Sequence, residues 1–190
     1  MAENNHSILS TSLPLFPSTK LHLALYTDVT NSLAIRSNLL SGNKSYSYAF
    51  LDPTTTLSLT HVFAAIYRAF TARAAQSMRT KTLNTELVFS MSPSMNIADG
   101  LRKFGIKDDS TSLLVIRIDE DGTLSSLELA NALDEIIAGN RIQISDESLA
   151  KLVDCEVVRQ NYKIPAGVDL SDLNNATKVA IGAIALRGYT

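Results

Sequence analysis

Histidine, cysteine and carboxylate side chains are the residues of this 190-residue chain that could carry out chemistry, and they are few and scattered. The three histidines are His6, His22 and His61, and none has a second histidine or a cysteine at metal-ligand spacing. We expect His22 to lie on a strand face rather than to bind a metal. The single cysteine, Cys155, excludes an intramolecular disulfide and stands at helical spacing in KLVDCEVVRQ, where a buried structural thiol is expected.

Acidic groups and small residues form no recognisable site either. Asp108 and Asp109 and the run at residues 119–121 bracket a predicted strand and could hold a divalent ion, although solvated turn charges are the commoner arrangement. The eight glycines form no phosphate-binding cluster, and no serine stands in a G-x-S-x-G motif. We therefore predict a protein that is not an enzyme, with no catalytic residues, no metal and no cofactor. A small enzyme with a site assembled from dispersed residues stays open as an alternative.

A cationic interval without acidic residues is the clearest local feature of the charge pattern. Residues 53–85 contain no Asp or Glu but include Arg68, Arg73, Arg79 and Lys81. On a helix, Arg68 and Arg73 stand about 140° apart, so they cannot form one stripe. Arg79 and Lys81 follow the predicted helix, where a turn could present both together.

The elements that would position these residues follow from hydrophobic periodicity. Period-two or continuous apolar runs predict four strands, in KLHLALYTDV, SYSYAFLDP, TELVFSMSP and TSLLVIRID, the last as a central strand. Helical patterns occur in NSLAIRSNLLSG, residues 58–76, IADGLRKF, residues 125–138, a segment from Asp146, EVVRQNYKI and residues 171–187. Asn31, Asn96 and Ser145 are the expected N-caps, and Gly105 is expected to be left-handed after IADGLRKF.

Composition and element order indicate the fold class. The net charge is −2 and 45% of the residues are hydrophobic, which supports a buried core and gives no global argument for nucleic-acid or membrane binding. No apolar run suits a transmembrane helix and no signal peptide is visible, so we expect a soluble intracellular protein. We predict one α/β (α+β) domain over residues 19–188, with a small mixed β-sheet flanked by helices and a helical C-terminal part. A poorly ordered segment is expected at residues 1–18.

The last predicted helix, in SDLNNATKVAIGAIALRG, is apolar nearly all round. At 100° per residue, its polar arc holds only Asn174, Asn175, Lys178 and the gap at Gly182. Such a helix is usually buried on more than one side. The pattern leaves two interpretations open: a central core helix, or a terminal helix with one side on its own domain and the other against a partner.

An ordered set of segments in the chain resembles the kinase-binding subunits of the KEOPS complex, also called EKC, the TPRKB family. The segments are MRTKTLNTELVFSMSPSMNIADGLRKFGIKDDS, LALYTDV, AFLDP and AIALRG, and together they extend from residue 23 to residue 188. None is diagnostic alone, but their order and intervals are specific, and a fungal-type member fits best. Residues 119–140 match weakly, and the residues before Leu15 are not part of the pattern.

The resemblance implies a non-catalytic role in the nucleus and cytoplasm. Such proteins bind the small atypical kinase of the complex, stimulate its ATPase or kinase activity, and associate with the other subunits indirectly. The complex supports threonylcarbamoyladenosine formation in tRNA and, in fungi, telomere maintenance and transcription. We take Ala180, Ile181, Ile184 and Arg187 as kinase-binding residues. A charge at Ile184 is then expected to abolish the complex without unfolding the domain.

The resemblance also implies direct tRNA contact, for which we take Arg73, Arg79 and Lys81. A stand-alone RNA-binding module is the alternative. It would need a broad basic face with exposed aromatic side chains, whereas the sequence offers only a local basic stretch. No membrane contact is expected. Exposed apolar surface on the last helix would permit weak homo-association of the isolated protein.

Overall fold

The computed structural model of the chain describes residues 8–188 and divides into two compact units. Unit 1 comprises the described residues of Met1–Leu51 together with Ile106–Ile144. Unit 2 comprises Asp52–Gly105 together with the described residues of Ser145–Thr190. The sequence predicts one domain over residues 19–188, and the structure separates two units within that range.

Unit 1 contains the β-sheet and two α-helices. Its elements are β1 Ile8–Leu13, β2 Phe16–Thr27, α1 Ser32–Leu40, β3 Ala49–Leu51, β4 Leu113–Asp119, α5 Ser126–Ile136 and β5 Asn140–Ile142. The strand order is β1–β2–β4–β3, and β5 also pairs with β2. The core brings together side chains of the sheet, such as Tyr26 and Phe50, with Ile35 of α1 and Leu133 of α5.

Helices and a β-sheet both form, which confirms the predicted α/β (α+β) class. The sequence predicts a mixed sheet, but every described strand pair is antiparallel. Leu51, the last residue of β3, is in register with Leu114, near the start of β4. The end of β3 therefore lies beside the start of β4, as in a hairpin, although a long segment of the chain connects the two strands. β4 lies between β2 and β3 with residues 113–116 buried, which confirms it as the central strand.

Residues 8–13 and 16–18 are part of the sheet, whereas the sequence predicts a loose start there. β1 pairs with β2 from Ile8 opposite Ala24 to Leu13 opposite Phe16, with an irregularity between Ser12 and Leu13. Among the described strands β1 lies at the edge of the sheet and pairs only with β2, so a polar segment can form a strand here with one side left to solvent. The remaining part of the predicted loose segment, residues 1–7, lies outside the described residues.

Unit 2 is helical. Its α-helices are α2 Leu59–Ala74, α3 Leu83–Ser90, α4 Ile97–Phe104, α6 Asp146–Ala150, α7 Cys155–Tyr162 and α8 Leu173–Ala185. α2 packs against both α3 and α8, and α3 also packs against α4. In residues 8–188, no helix is long and apolar enough to cross a membrane.

The strand predicted for TELVFSMSP is wrong, because most of this segment lies in helix α3. Thr82 caps this helix by accepting a hydrogen bond from the backbone N–H of Thr85 at 3.2 Å. Residues 86–90 are all buried, so the helix is covered on every side. A strand covered on both faces would show the same unbroken run of buried residues. A short apolar run of this kind does not distinguish a strand from a buried helix, and here tertiary packing decides.

Helix caps follow the sequence prediction at most positions. Asn96 and Ser145 each accept a backbone N–H from the third residue of their helix at 3.1 Å. Asn31 precedes α1 but makes no side-chain cap bond. The left-handed conformation predicted for Gly105 is wrong, because its φ is −89°. Glycine is needed there for a close approach, since a Cβ would lie 2.7 Å from the carbonyl oxygen of Leu101.

Candidate functional site

Both ends of α8 are held by side chains of unit 2. At its start, the Asp172 carboxylate accepts the backbone N–H groups of Asn174 and Asn175. At its end, the Arg68 guanidinium of α2 donates to the carbonyl oxygens of Ile184 at 2.7 Å and Arg187 at 3.2 Å. The orphan backbone groups that every helix end carries are thus partly satisfied, and α8 is fixed on α2 in one orientation.

The side of α8 that faces the interior of unit 2 holds most of the residues predicted to bind a kinase. Ala180, Ile184 and Arg187 are buried, and Ile181 is half-buried. A side chain that is already covered by its own unit cannot add contact area in a complex. The kinase contact stays a prediction, and the exposed surface of α8 lies at other positions of the helix.

A flank of α8 beside this buried side carries a stripe of apolar residues that are exposed or half-buried. Gly182, Ala183 and Leu186 stand three, four and seven residues after Val179, and so the four share one face. We call these four residues the outer stripe. Val179 is 37% and Leu186 56% exposed, and a Cβ placed on Gly182 would meet no atom within 4 Å. The periodicity of the sequence contains this stripe, but it does not show which side of the helix faces out.

Arg187 anchors the end of α8 to α3. Its guanidinium lies 4.0 Å from the ring centroid of Phe89 and donates to the carbonyl oxygens of Phe89 and Ser92. Burial lowers the pKa of Arg187 to about 10, with Arg68 acting in the same direction and the Glu86 carboxylate opposing it. The residue remains a cation at neutral pH, and its contacts hold the end of α8 against α3.

Two exposed cations of unit 2 lie on the loop between α2 and α3, residues 76–82, which we call the basic loop. Arg79 and Lys81 are both exposed on it. The Glu86 carboxylate holds the loop from inside, accepting the N–H groups of Arg79 and Thr80 at 3.0 and 2.8 Å. The structure thus brings together two of the three residues predicted to contact tRNA.

The other two cations of the acid-free interval lie on α2 and are engaged within unit 2. Arg73, the third residue predicted to contact tRNA, is half-buried, with its guanidinium 4.8 Å from the ring centroid of Phe70. Arg68 binds the carbonyl groups at the end of α8. Sequence reasoning anticipates that Arg68 and Arg73 diverge, but it does not find the role of Arg68 as a cap, because that role depends on a partner 116 residues away.

The histidines with described structure have structural partners. His61 is buried; the Leu57 N–H donates to its Nδ1, and its Nε2 lies 2.7 Å from the hydroxyl of Tyr162, which donates to the Met91 carbonyl. Burial lowers the pKa of His61 to about 3, so the ring is neutral and completes a chain of hydrogen bonds inside unit 2. His6 lies outside the described residues.

His22 lies on the face of β2, as predicted, beside a serine and an aspartate, residue types that hydrolytic enzymes also combine with histidine. Its Nδ1 is 2.7 Å from the Ser10 hydroxyl, and its Nε2 is 3.7 Å from the Asp119 carboxylate. That carboxylate accepts the N–H groups of Gly122 and Leu124, which close the turn after β4. Although burial acts to raise it, these hydrogen bonds hold the pKa of Asp119 below its usual range. The group therefore stabilises a turn.

Asp108 and Cys155, two further residues singled out in the sequence, also have contacts within their own units. Asp108 forms an ion pair with Arg36 at 2.8 Å. Cys155 is half-buried, with its sulfur 3.8 Å from the carbonyl oxygen of Leu170. Within residues 8–188, no group of three or more His, Cys, Asp or Glu residues is placed to hold a metal ion.

An exposed apolar stripe and an exposed pair of cations are features of a protein that binds partners. The family described as "Kinase binding protein CGI-121" matches residues 26–188. The chain is 40% identical over 178 residues to the EKC/KEOPS complex subunit cgi121 of Schizosaccharomyces pombe, covering 94% of this chain and 99% of that one. It is 38% identical to the subunit of the same name from Aspergillus fumigatus, covering 94% and 95% of the two chains, and 36% identical to that of Yarrowia lipolytica, covering 92% and 99%.

The chain belongs to the kinase-binding protein CGI-121 family. The resemblance seen in the sequence is confirmed, including its fungal character, since these relatives are fungal EKC/KEOPS subunits.

Proposed function

We propose that this protein is a non-catalytic regulatory subunit that binds the small atypical kinase of the EKC/KEOPS complex through the outer stripe and stimulates it. The observation that carries the proposal is the division of α8 into a buried side and an exposed apolar side. The description of the family as kinase-binding proteins supports the choice of partner. The other subunits of the complex are then reached through the kinase.

The outer stripe suits a protein partner for physical reasons. Val179 and Leu186 expose apolar area that a partner would remove from water, at a gain of about 25 cal/mol for each Å². Gly182 between them lets a partner approach the helix backbone. Because both helix ends are already fixed, little conformational freedom of the backbone is lost on binding.

The cellular role that goes with this activity is support of threonylcarbamoyladenosine formation in tRNA, with telomere maintenance and transcription as linked processes, in the nucleus and cytoplasm. The naming of the relatives as EKC/KEOPS subunits supports it. Purified alone, the chain is expected to show no ATP hydrolysis and no tRNA modification. Turnover that disappears on changing one carboxylate, such as Asp52, would instead favour the enzyme alternative.

The kinase proposal is tested by placing a charge on the outer stripe. Leu186→Glu should abolish co-elution with the co-expressed kinase in size exclusion, because an unpaired carboxylate would be buried in the interface. The matched control is Leu40→Glu on α1 of unit 1, since Leu40 is also an exposed helical leucine, at 72%. Unchanged kinase binding by Leu186→Glu, with both variants folded by circular dichroism, would remove the outer stripe from the interface.

A second candidate function, direct tRNA contact, is favoured by the two exposed cations of the basic loop, Arg79 and Lys81. With a net charge of −2, the isolated chain should bind weakly and with a steep salt dependence, because phosphate contacts release counterions. A stand-alone RNA-binding role would require tight binding without the rest of the complex.

The tRNA contact is tested by Arg79→Glu/Lys81→Glu in filter-binding titrations at two salt concentrations. We expect weaker binding and a smaller log–log salt slope, by about 0.7 to 0.9 for each phosphate that the variant no longer neutralises. Lys44→Glu/Lys151→Glu, at two other exposed lysines, changes the net charge equally and controls for long-range repulsion. If both double variants are weakened to the same extent, the basic loop is not where tRNA binds.

A further inference from the structure

The basic loop is folded around a single buried carboxylate oxygen. Glu86, in the first turn of α3, is 1% exposed. Its Oε2 accepts three hydrogen bonds, from the backbone N–H of Arg79 at 3.0 Å, the backbone N–H of Thr80 at 2.8 Å and the Thr80 hydroxyl at 2.8 Å. A buried carboxylate is costly unless it is well hydrogen-bonded, so Glu86 and the loop depend on each other.

The loop is also fixed at both of its ends. At the α2 end, Gln76 is left-handed, with φ of 53°, and the Ser77 N–H donates to the Ala72 carbonyl at 2.8 Å. At the α3 end, the Thr82 side chain caps the helix and its carbonyl oxygen lies 3.1 Å from the Thr80 hydroxyl. The conformation of the loop is therefore set by hydrogen bonds before any ligand arrives.

This arrangement orients the two cations. Thr80 points its hydroxyl inward to Glu86, while its neighbours Arg79 and Lys81 are exposed. Two cations held on either side of one inward residue need less ordering when they meet consecutive phosphates of an RNA backbone. A loop without its internal anchor would carry the same charges but present them in many orientations.

We propose that Glu86 is a positioning residue for RNA phosphate recognition, which holds Thr80 inward so that Arg79 and Lys81 face the phosphates together. The inference rests on the proposed tRNA contact of the basic loop. Glu86 itself touches no phosphate. It acts through the backbone of the loop.

The sign of the mutational effect separates positioning from simple charge. Glu86→Gln removes a negative charge beside the two cations, so long-range electrostatics alone would make RNA binding tighter. Positioning requires the opposite result, because a neutral amide oxygen in the place of Oε2 is a weaker acceptor for the three donors than the charged carboxylate oxygen. A weaker complex in a more positive protein is therefore specific to the proposed role.

The experiment is a titration of a labelled tRNA transcript with the full chain at two salt concentrations. We expect Glu86→Gln to bind about five- to tenfold more weakly, the penalty for ordering two side chains, and to show a smaller salt slope. Thr80→Val, which removes the hydroxyl but keeps the shape, should also weaken binding, and Thr80→Ser should restore it. Kinase co-elution should be unchanged in all three variants.

The outcomes distinguish this inference from the proposed function. If Arg79→Glu/Lys81→Glu binds tRNA as the wild type does, the tRNA contact of the loop is itself wrong. If that double variant loses binding but Glu86→Gln binds equally or more tightly, only the positioning role of Glu86 is wrong. Should Glu86→Gln fail to fold, Thr80→Val decides, and its unaltered affinity and salt slope would overturn the inference.

Discussion

The inner and outer sides of α8 are built from the same kinds of residue but have opposite surroundings. Ala180 and Ile184 on the inner side are 0% and 2% exposed, whereas Val179 and Leu186 on the outer side are 37% and 56% exposed. Apolar composition alone therefore does not show what a helix packs against. A terminal helix can complete its own unit with one side and retain a second apolar side for a partner.

The strongest effect is expected from a charge on the inner side. Ile184→Glu should lower the free energy of unfolding by about 4 kcal/mol, because a buried carboxylate without a partner replaces a packed side chain. This differs from the sequence prediction that the domain stays folded. Urea unfolding measures the change, and Ile184→Val, expected to cost only about 1 kcal/mol, is the matched control. An Ile184→Glu variant as stable as the wild type would mean that the two sides of α8 are not distinct.

An intermediate effect is expected from lowering the pH. It should reduce the stability of the folded interior rather than change the outer stripe. His61 lies in the buried face of α2, and its folded-state pKa of about 3 is below the unfolded value near 6.5. Its neutral form therefore contributes stability that is fully present above about pH 6.5 and is lost as the pH falls towards 3.

Between pH 7.5 and pH 5, the free energy of unfolding should fall by about 2 kcal/mol on account of His61. Denaturant titrations of wild type and His61→Gln at both pH values measure this share, since the variant should lack it. Kinase binding should weaken only as far as the folded fraction decreases. The same pH dependence in His61→Gln as in the wild type would show that this histidine is not buried in the neutral form.

The weakest effect should have opposite signs for folding and for binding. Gly182→Ala should stabilise the isolated chain by about 0.5 to 1 kcal/mol, because alanine is the better helix former and its Cβ meets nothing within 4 Å. The same methyl group should weaken kinase binding if the partner approaches the backbone there. Gly167→Ala, at another open glycine outside the helices, is the control for thermal unfolding and kinase titration. A gain in both stability and affinity would place Gly182 away from the contact.

Much of the fold and part of the candidate site can be predicted from local sequence signals. The caps at Asn96 and Ser145 depend on residues three positions apart, and so can be read directly. The alternation in β2, the apolar run of β4 and the clustering of Arg79 and Lys81 are local in the same sense. The family is also visible in the sequence, because its segments occur in order at matching intervals.

The features that local sequence leaves open involve partners far apart in the chain. The segment of α3 is apolar whether it forms a strand or a helix, and its packing on α2 and α4 settles which. Arg68 and Arg79 are the same residue type in one basic interval, yet Arg68 is used to cap α8, 116 residues away. The side of α8 that faces inward likewise depends on its packing against α2. Local sequence determines which backbone conformations are favourable, but the burial of a particular side chain depends on what the rest of the chain places against it.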